Sequence, residues 1–67
     1  MSYYASTAPV SEGQTLDVDV TEISRRGDGI AKVEGFVIFV PNTKAGDHVT
    51  IKVTSVRNRF AIAEVVE

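Results

Sequence analysis

The sequence predicts an all-β protein, a small five-stranded β-barrel preceded by a short flexible N-terminal tail. Five short segments are apolar or alternate between apolar and polar residues, and turn-forming residues separate them at intervals of about 8–12 positions. No stretch of useful length has the period of an amphipathic helix. A β-sandwich would produce the same signals, but we favour a barrel because closure leaves no edge strands to pair with other molecules.

Length and composition limit what the protein can be. Its 67 residues allow one small domain, and 43% hydrophobic with 24% charged residues is typical of globular proteins. The chain has no cysteine, which excludes disulfides, thiolate metal ligands and a cysteine nucleophile. No apolar run approaches the roughly 20 residues that span a bilayer, and the first residues lack a signal segment. We therefore expect a soluble, cytoplasmic protein with no membrane partner.

The N-terminal residues differ in character from the rest. Residues 1–12 are small, polar and aperiodic, which predicts a flexible tail followed by a domain over residues 13–67. Tyr3 and Tyr4 could stack on a ligand. Tyrosines in such a tail more often have no function, and we assign these two none.

The first strand has a regular alternation. Leu16, Val18 and Val20 are separated by polar residues, which is the period of two of a half-buried strand. Ile23 breaks this alternation and indicates a bulge or the end of the strand. Two glycines within residues 25–29 then indicate a turn.

The second and third strands are expected to form a hairpin. Residues 30–33 make a short apolar run, and Glu34 with Gly35 favours a two-residue turn into residues 36–40. That third run is apolar on both faces. Pro41 ends it, because proline cannot donate a hydrogen bond to a central ladder.

The last two strands follow a second cluster of turn residues around Gly46. Residues 48–54 alternate between polar and apolar side chains, as a half-buried strand does. Residues 57–59, Arg-Asn-Arg, turn the chain, and residues 60–66 are expected to form the fifth strand.

The sequence offers little for catalysis. Its single histidine, His48, lies on the polar side of the fourth strand, with no nucleophile or orienting partner at a telling spacing. One histidine also excludes a histidine-based metal cluster within the chain. The Gly-Asp-Gly sequence at residues 27–29 lacks the strand-to-helix context of a phosphate-binding loop. We therefore expect no enzyme activity, no catalytic residues, no metal and no cofactor.

The charge is unevenly distributed along the chain. The net charge is −2 and the pI about 5.2, yet residues 25–59 hold all seven basic residues and only three acidic ones, a local charge of +4. Such a segment is compatible with a local anion-binding face. Ordinary scatter of surface charge explains it equally well at this point.

The three phenylalanines lie close in sequence to basic residues. They are Phe36, Phe39 and Phe60, and the neighbouring bases include Lys32, Arg57 and Arg59. Single-stranded nucleic acids are held by basic side chains along the phosphates and by aromatic rings stacked on bases. The interleaving therefore favours nucleic-acid binding, although phenylalanines in a small β-protein usually belong to the core.

The alternation of side chains along a strand bears on which rings are exposed. Phe36 and Phe39 are three positions apart, so in a regular strand they point to opposite faces and at least one lies outward. In the fifth strand, Ala61 and Ala63 are expected to face inward. Phe60 shares the other side with a glutamate and is expected to face outward.

Two motifs resemble a known family. Residues 27–41, GDGIAKVEGFVIFVP, followed by residues 45–49, AGDHV, are similar to the TRAM domain. The resemblance covers about residues 12–66. TRAM domains are small OB-like β-barrels that are appended to RNA-modifying enzymes, including tRNA methylthiotransferases and uridine methyltransferases, and that also occur as stand-alone archaeal proteins.

The resemblance implies RNA binding without catalysis, to tRNA or other structured RNA, and the stand-alone archaeal type implies RNA-chaperone-like activity. By motif position it implies contacts from Lys32, Phe36, Phe39 and Lys44, and from Phe60 with its flanking arginines. The candidate RNA-binding residues are Arg25, Arg26, Lys32, Phe36, Phe39, Lys44, Arg57, Arg59 and Phe60.

Two other readings of the sequence stay open. An exposed aromatic face could bind a protein, so the chain could be an adaptor for an RNA-modifying enzyme. It could also complete a split enzyme as a subunit, for which the sequence offers no positive feature. We expect the protein to be a monomer.

Overall fold

The computed structural model describes residues 9–66, which form a five-stranded β-barrel. The strands are β1 (Thr15–Ile23), β2 (Gly29–Val33), β3 (Phe36–Val40), β4 (His48–Val56) and β5 (Phe60–Val65). Within residues 9–66 the chain forms no helix, and hence none that could cross a membrane. The predicted all-β class and the five strands are confirmed.

The sheet closes on itself in the order β1-β2-β3-β5-β4. The pairing of β1 with β4 completes the ring, and every pair is antiparallel except β3 with β5, which run parallel. Each strand therefore has a neighbour on both sides. A closed sheet of this kind leaves no unpaired edge for another chain to extend, so the barrel predicted in preference to a sandwich is confirmed.

The bulge predicted in the first strand is present. Val18 and Val20 face the core, and the register of β1 with β2 then shifts between Val20 and Glu22. The extra residue turns the rest of the strand, so that Glu22 lies opposite Ile30 and the strand ends at Ile23. The residues of β1 that pair with β4, Thr15 to Asp19, all precede the bulge.

The predicted two-residue hairpin joins β2 to β3. Val33 lies opposite Phe36, and the turn residues Glu34 and Gly35 have φ angles of 53° and 83°. Two successive positive φ angles are the requirement of a type I′ turn, whose twist matches that of the flanking strands. Glycine meets this requirement without steric cost at the second position.

The core is built from alternate residues of every strand. Its largest fully buried side chains are Val20, Ile38, Val40, Ile51 and Val53. Ala61 and Ala63 fill the inner side of β5 and are 0% and 1% exposed, as predicted. Two alanines in succession leave room for the larger side chains that β3 and β4 direct into so small a barrel.

Val10 lies in the core although it precedes the first strand. It is 3% exposed and packs with the buried residues of the barrel. A turn at residues 11–14 holds this segment, since the Gly13 N–H donates to the Val53 carbonyl at 2.7 Å. The folded part therefore starts ahead of the predicted boundary at residue 13. Residues 1–8, with Tyr3 and Tyr4, lie outside the described residues.

Gly29 and Thr43 meet at one end of the barrel. Thr43 is the buried polar residue among those described, and its hydroxyl donates to the Val40 carbonyl at 2.8 Å. A Cβ atom on Gly29 would overlap the Thr43 hydroxyl and would lie 2.9 Å from a methyl of Val20. Packing therefore requires glycine at this position. Backbone conformation does not, because the φ angle is not positive.

Candidate nucleic-acid interface

The outer face of β2, β3 and β5 is the part of the barrel that resembles a binding surface. Side chains that are paired across the strands share one face of the sheet. They form two rows: Ile30, Phe39 and Ile62 in the first, Lys32, Val37 and Phe60 in the second. This face is therefore apolar and aromatic at its centre, with a lysine on one side.

Phe39 and Phe60 contact each other on this face. Their ring centroids are 5.5 Å apart and the rings are inclined at 73°, an edge-to-face arrangement. Both side chains are half-buried. Each ring covers part of the other and keeps part of its own surface accessible, as a stacking platform for a flat ligand requires.

A cleft of about 600 Å³ lies between this aromatic pair and the β1–β2 turn. The turn contributes Ser24, Arg25, Arg26 and Asp28. The sheet contributes Phe39, Pro41, Phe60 and Ile62. Two arginines and two phenylalanines therefore line one concave site. Its volume falls within the range of about 300–1,000 Å³ that ligand pockets occupy.

The β1–β2 turn is ordered by its own hydrogen bonds. The Ser24 N–H donates to the Asp28 carbonyl at 2.8 Å, and the Gly27 N–H donates to the Ser24 carbonyl at 2.9 Å. The Ser24 hydroxyl oxygen accepts from the N–H groups of Arg26 and Asp28, each at 3.2 Å. The backbone of Arg25 and Arg26 is thereby fixed at the tip of the turn, and less conformational entropy is lost when their side chains bind an anion.

Arg57 and Arg59 lie at the other end of the aromatic face. They belong to the turn before β5, where the Arg57 N–H donates to the Phe60 carbonyl at 2.7 Å. Because β5 runs parallel to β3, this turn lies beside the start of β3, whereas the β1–β2 turn lies beside its end. The two pairs of arginines therefore flank the aromatic face from opposite ends.

Five of the nine predicted residues do not line the cleft. Lys32, Arg57 and Arg59 lie on or beside the aromatic face, and Phe36 and Lys44 lie away from it. Phe36 has the same parity in β3 as buried Ile38, and its half-buried ring packs against the core. Lys44 is in the loop between β3 and β4, where its N–H donates to the Asp47 carboxylate at 2.8 Å. Of the predicted residues, the structure thus brings together Arg25, Arg26, Phe39 and Phe60 in the cleft. Phe36 and Lys44 lie outside it.

Sequence reasoning missed four of the cleft residues: Ser24, Asp28, Pro41 and Ile62. Ile62 could have been found from its parity, because it is two residues from Phe60 on the same strand. The other three become visible only when β3 pairs with β5 and the β1–β2 turn folds over that pair. No local pattern in the sequence signals this long-range contact.

The opposite side of the barrel is acidic. On the outer face of β1 and β4, the Asp17 carboxylate accepts from the Thr50 hydroxyl at 2.5 Å, and the Asp19 carboxylate pairs with His48 Nδ1 at 2.5 Å. This hydrogen bond and the charge of Asp19 raise the pKa of His48 above 6.5. The net negative charge is therefore carried in part by a face that points away from the cleft.

Within residues 9–66, no group of three or more histidine, aspartate or glutamate side chains is placed to hold a metal ion. The chemistry of the cleft is that of cations, one carboxylate and aromatic rings. Side chains of these kinds can stack on flat ligands and pair with anions.

The sequence pattern of the TRAM domain matches residues 9–66, which include all five strands and the cleft. The chain belongs to the TRAM domain family. Members of this family generally bind RNA, and TRAM domains occur in RNA-modifying enzymes. The family resemblance inferred from the two sequence motifs is confirmed.

Two proteins of known sequence show how TRAM domains occur. An uncharacterized protein of Methanocaldococcus jannaschii is 54% identical over 56 residues, which cover 84% of this chain and 73% of that protein. A ribosomal RNA large subunit methyltransferase E of Natronomonas pharaonis is 46% identical over 61 residues. That match covers 91% of this chain but 24% of the methyltransferase, so the TRAM domain is a small part of that enzyme.

A solved structure has the same fold. The solution structure of a conserved protein from Methanococcus maripaludis superposes with a TM-score of 0.87 at 38% sequence identity. The match covers 100% of both chains. The two proteins therefore share one fold.

Proposed function

We propose that this TRAM domain is a non-catalytic module that binds unpaired segments of RNA, including those of tRNA or other structured RNA. The observation that carries the proposal is the cleft in which Arg25 and Arg26 lie beside Phe39 and Phe60. Membership in a family that generally binds RNA supports it.

The aromatic side chains and the arginines contact different parts of the RNA. A base that stacks on an aromatic ring contributes about 1–3 kcal/mol, largely regardless of its identity. Arginines on either side neutralise phosphates and release counterions, which makes the affinity fall as salt rises. The turn with Arg25 and Arg26 lies over the end of β3 and would hold the RNA backbone there. Phe39 and Phe60 would receive the adjacent base.

The position of the cleft agrees with how barrels of this type bind oligonucleotides. In OB folds the ligand lies on the face of strands 2 and 3 and between the loops that join strands 1–2 and 4–5. The corresponding parts here are the face of Phe39, the turn of Arg25 and Arg26, and the turn of Arg57 and Arg59. A strand of RNA that crosses the face would meet cations at both ends.

Chaperone-like activity follows from the same contacts. A protein that binds unpaired bases lowers the free energy of the open strand and so competes with misfolded intramolecular pairs. The site is small and carries few cations, so each contact is weak and reversible. Weak binding is what such an activity needs, because the RNA must be released before it can pair correctly.

The test is a titration of isotopically labelled protein with a short unstructured RNA, followed by backbone amide shifts at low and moderate salt. We expect shifts at residues 24–28, 39 and 57–62 that shrink as salt rises, and none at residues 17–19 and 48–50. The acidic face thus serves as an internal control.

A spectrum that stays unchanged while the barrel remains folded would contradict RNA binding. It would instead favour the adaptor hypothesis, in which the aromatic face binds a protein such as an RNA-modifying enzyme. A largely apolar protein interface changes little in affinity with salt, so the salt dependence separates the two functions even if both ligands use this face.

A further inference from the structure

The cleft is lined by an acidic residue that phosphate binding does not explain. Asp28 lies in it with Arg25 and Arg26 and is half-buried. Among residues 9–66 its carboxylate forms no ion pair within 4.0 Å, since the ion pair found there joins His48 and Asp19. A site for phosphate alone would be weakened by an uncompensated carboxylate, so the ligand should offer hydrogen-bond donors as well as acceptors.

The chemistry of the four bases distinguishes between them at such a site. An ionised carboxylate only accepts hydrogen bonds. Guanine alone has two adjacent donors on its Watson–Crick edge, N1–H and the N2 amino group, which match the two carboxylate oxygens. Adenine and cytosine place an acceptor nitrogen beside their amino group, and uracil places its N3–H between two carbonyl oxygens.

The other edge of guanine suits the arginines. Its O6 and N7 atoms are both acceptors, and arginine binds this pair in a bidentate manner. In single-stranded RNA both edges are accessible once the base is unstacked. Arg25 or Arg26 on one edge and Asp28 on the other would therefore satisfy every polar atom of the base that faces the cleft.

We propose that the cleft holds one unstacked guanine, and that Asp28 is the residue that selects it. The proposal rests on the proposed RNA-binding function and adds a base preference to it. The walls formed by Phe39, Phe60 and Ile62 receive the flat faces of the purine, and a cleft of about 600 Å³ accommodates the base with its ribose.

The β1–β2 turn is built to hold the cation and the carboxylate in fixed relation. The Ser24 hydroxyl accepts from the backbone N–H of Arg26 and from that of Asp28, both at 3.2 Å. The backbones of these two residues of opposite charge are thus held by one oxygen atom. A fixed arrangement of donor and acceptor groups is what allows a site to discriminate between bases rather than bind all of them.

The experiment measures affinities by fluorescence anisotropy for short uridine oligomers that carry one central guanosine, inosine or uridine. Inosine lacks the N2 amino group of guanine and keeps O6, N7 and N1–H. We expect the guanosine oligomer to bind roughly 5- to 100-fold more tightly than the all-uridine oligomer. The inosine oligomer should lie between them, because one of its two donors to Asp28 is lost.

Asp28→Asn is the variant that tests the carboxylate, because it removes the charge with almost no change of shape. We expect it to lower the ratio of guanosine to uridine affinity, with the remaining preference due to the arginine contact to O6 and N7. Glu12→Gln is the matched control: it removes the same charge in the exposed turn before β1 and should leave the ratio unchanged. The amide spectrum of each variant reports whether the barrel is folded.

The outcomes separate this inference from the function on which it rests. If the protein binds none of the oligomers, RNA binding and the guanine preference are both overturned. If it binds all of them equally, the guanine assignment is overturned and RNA binding stands. If Asp28→Asn leaves the guanosine preference undiminished, the assignment of Asp28 as the selecting residue is overturned. The comparison of guanosine with inosine uses the unmodified protein, so it decides the question even if the variant fails to fold.

Discussion

The ring of Phe39 meets the ring of Phe60 edge to face, with centroids 5.5 Å apart. The two residues are not direct neighbours across the parallel strands, because Phe60 lies opposite Val37 and Phe39 lies opposite Ile62. The rings are therefore diagonal neighbours that lean toward one another. This places both of them at the mouth of the cleft, where the β1–β2 turn lies above them.

Replacement of Phe60 by alanine should weaken RNA binding and leave the barrel folded. The ring is half-buried on the outer face, while the inner side of β5 is filled by Ala61 and Ala63. We expect a loss of about 1–3 kcal/mol in binding, the contribution of one stacked base. Titration calorimetry measures the affinity, and thermal unfolding monitors the fold.

Phe36→Ala is the control for this prediction: it should lower the stability of the barrel and leave RNA affinity nearly unchanged. Its ring packs against the core, so we expect a stability loss of about 2–4 kcal/mol and little change in the affinity of the folded protein. If Phe60→Ala unfolds the barrel and Phe36→Ala does not, the assignment of the two rings is reversed.

Removal of the arginines should flatten the salt dependence of RNA binding. Each phosphate contact with a single strand contributes about 0.7 to the slope of log K against log salt concentration. Arg57→Ala with Arg59→Ala should therefore lower the slope by about 1.4, and Arg25→Ala with Arg26→Ala by about 0.7, because one of the latter pair is assigned to the edge of the guanine. A pair whose removal leaves the slope unchanged does not contact phosphate.

Gly29→Ala should destabilise the barrel strongly. The new methyl group would overlap the Thr43 hydroxyl and would approach the Val40 carbonyl to 3.0 Å. We expect a loss of about 3 kcal/mol or more, measured by denaturant unfolding, since backbone and core must both shift. Thr43→Ala in the same chain removes the worst overlap and should restore part of the stability. No restoration would mean that contacts other than the hydroxyl set the cost.

The pKa of His48 should lie above 6.5, because the Asp19 carboxylate accepts a hydrogen bond from its ring and attracts its positive charge. A raised pKa in the folded state stabilises the fold below pH 6.5, and this contribution is lost as pH rises through the folded-state pKa. NMR titration of the ring measures the value. Asp19→Asn should return it toward 6.5, and Asp17→Asn should lower it less, because Asp17 acts through its charge alone.

Much of the fold could be predicted from local patterns. The alternation of Leu16, Val18 and Val20 predicts β1, and Glu34 with Gly35 predicts the hairpin, because both signals lie within a few residues. The burial of Val10 has no such signal: an isolated valine among polar residues has no period to reveal its side. Its place in the core depends on a turn that brings it back to β4.

The candidate site was predictable only in part. The residue types were visible, and the parity of β5 correctly placed Phe60 outside. The parallel pairing of β3 with β5 was not predictable, because the local sequence of a strand does not identify a distant partner strand. For the same reason Asp28 gave no sign that it would share a cleft with Phe39.

The acidic face of β1 and β4 has a consequence for the speed of association. A polyanion that approaches Asp17 and Asp19 is repelled, whereas one that approaches the arginines of the cleft is attracted, so the barrel tends to rotate into the correct orientation before contact. Encounters are thereby selected by direction even though the molecule as a whole is negative. In the proposed RNA-binding function, such a domain would find an exposed strand quickly without adhering to nucleic acid at every collision.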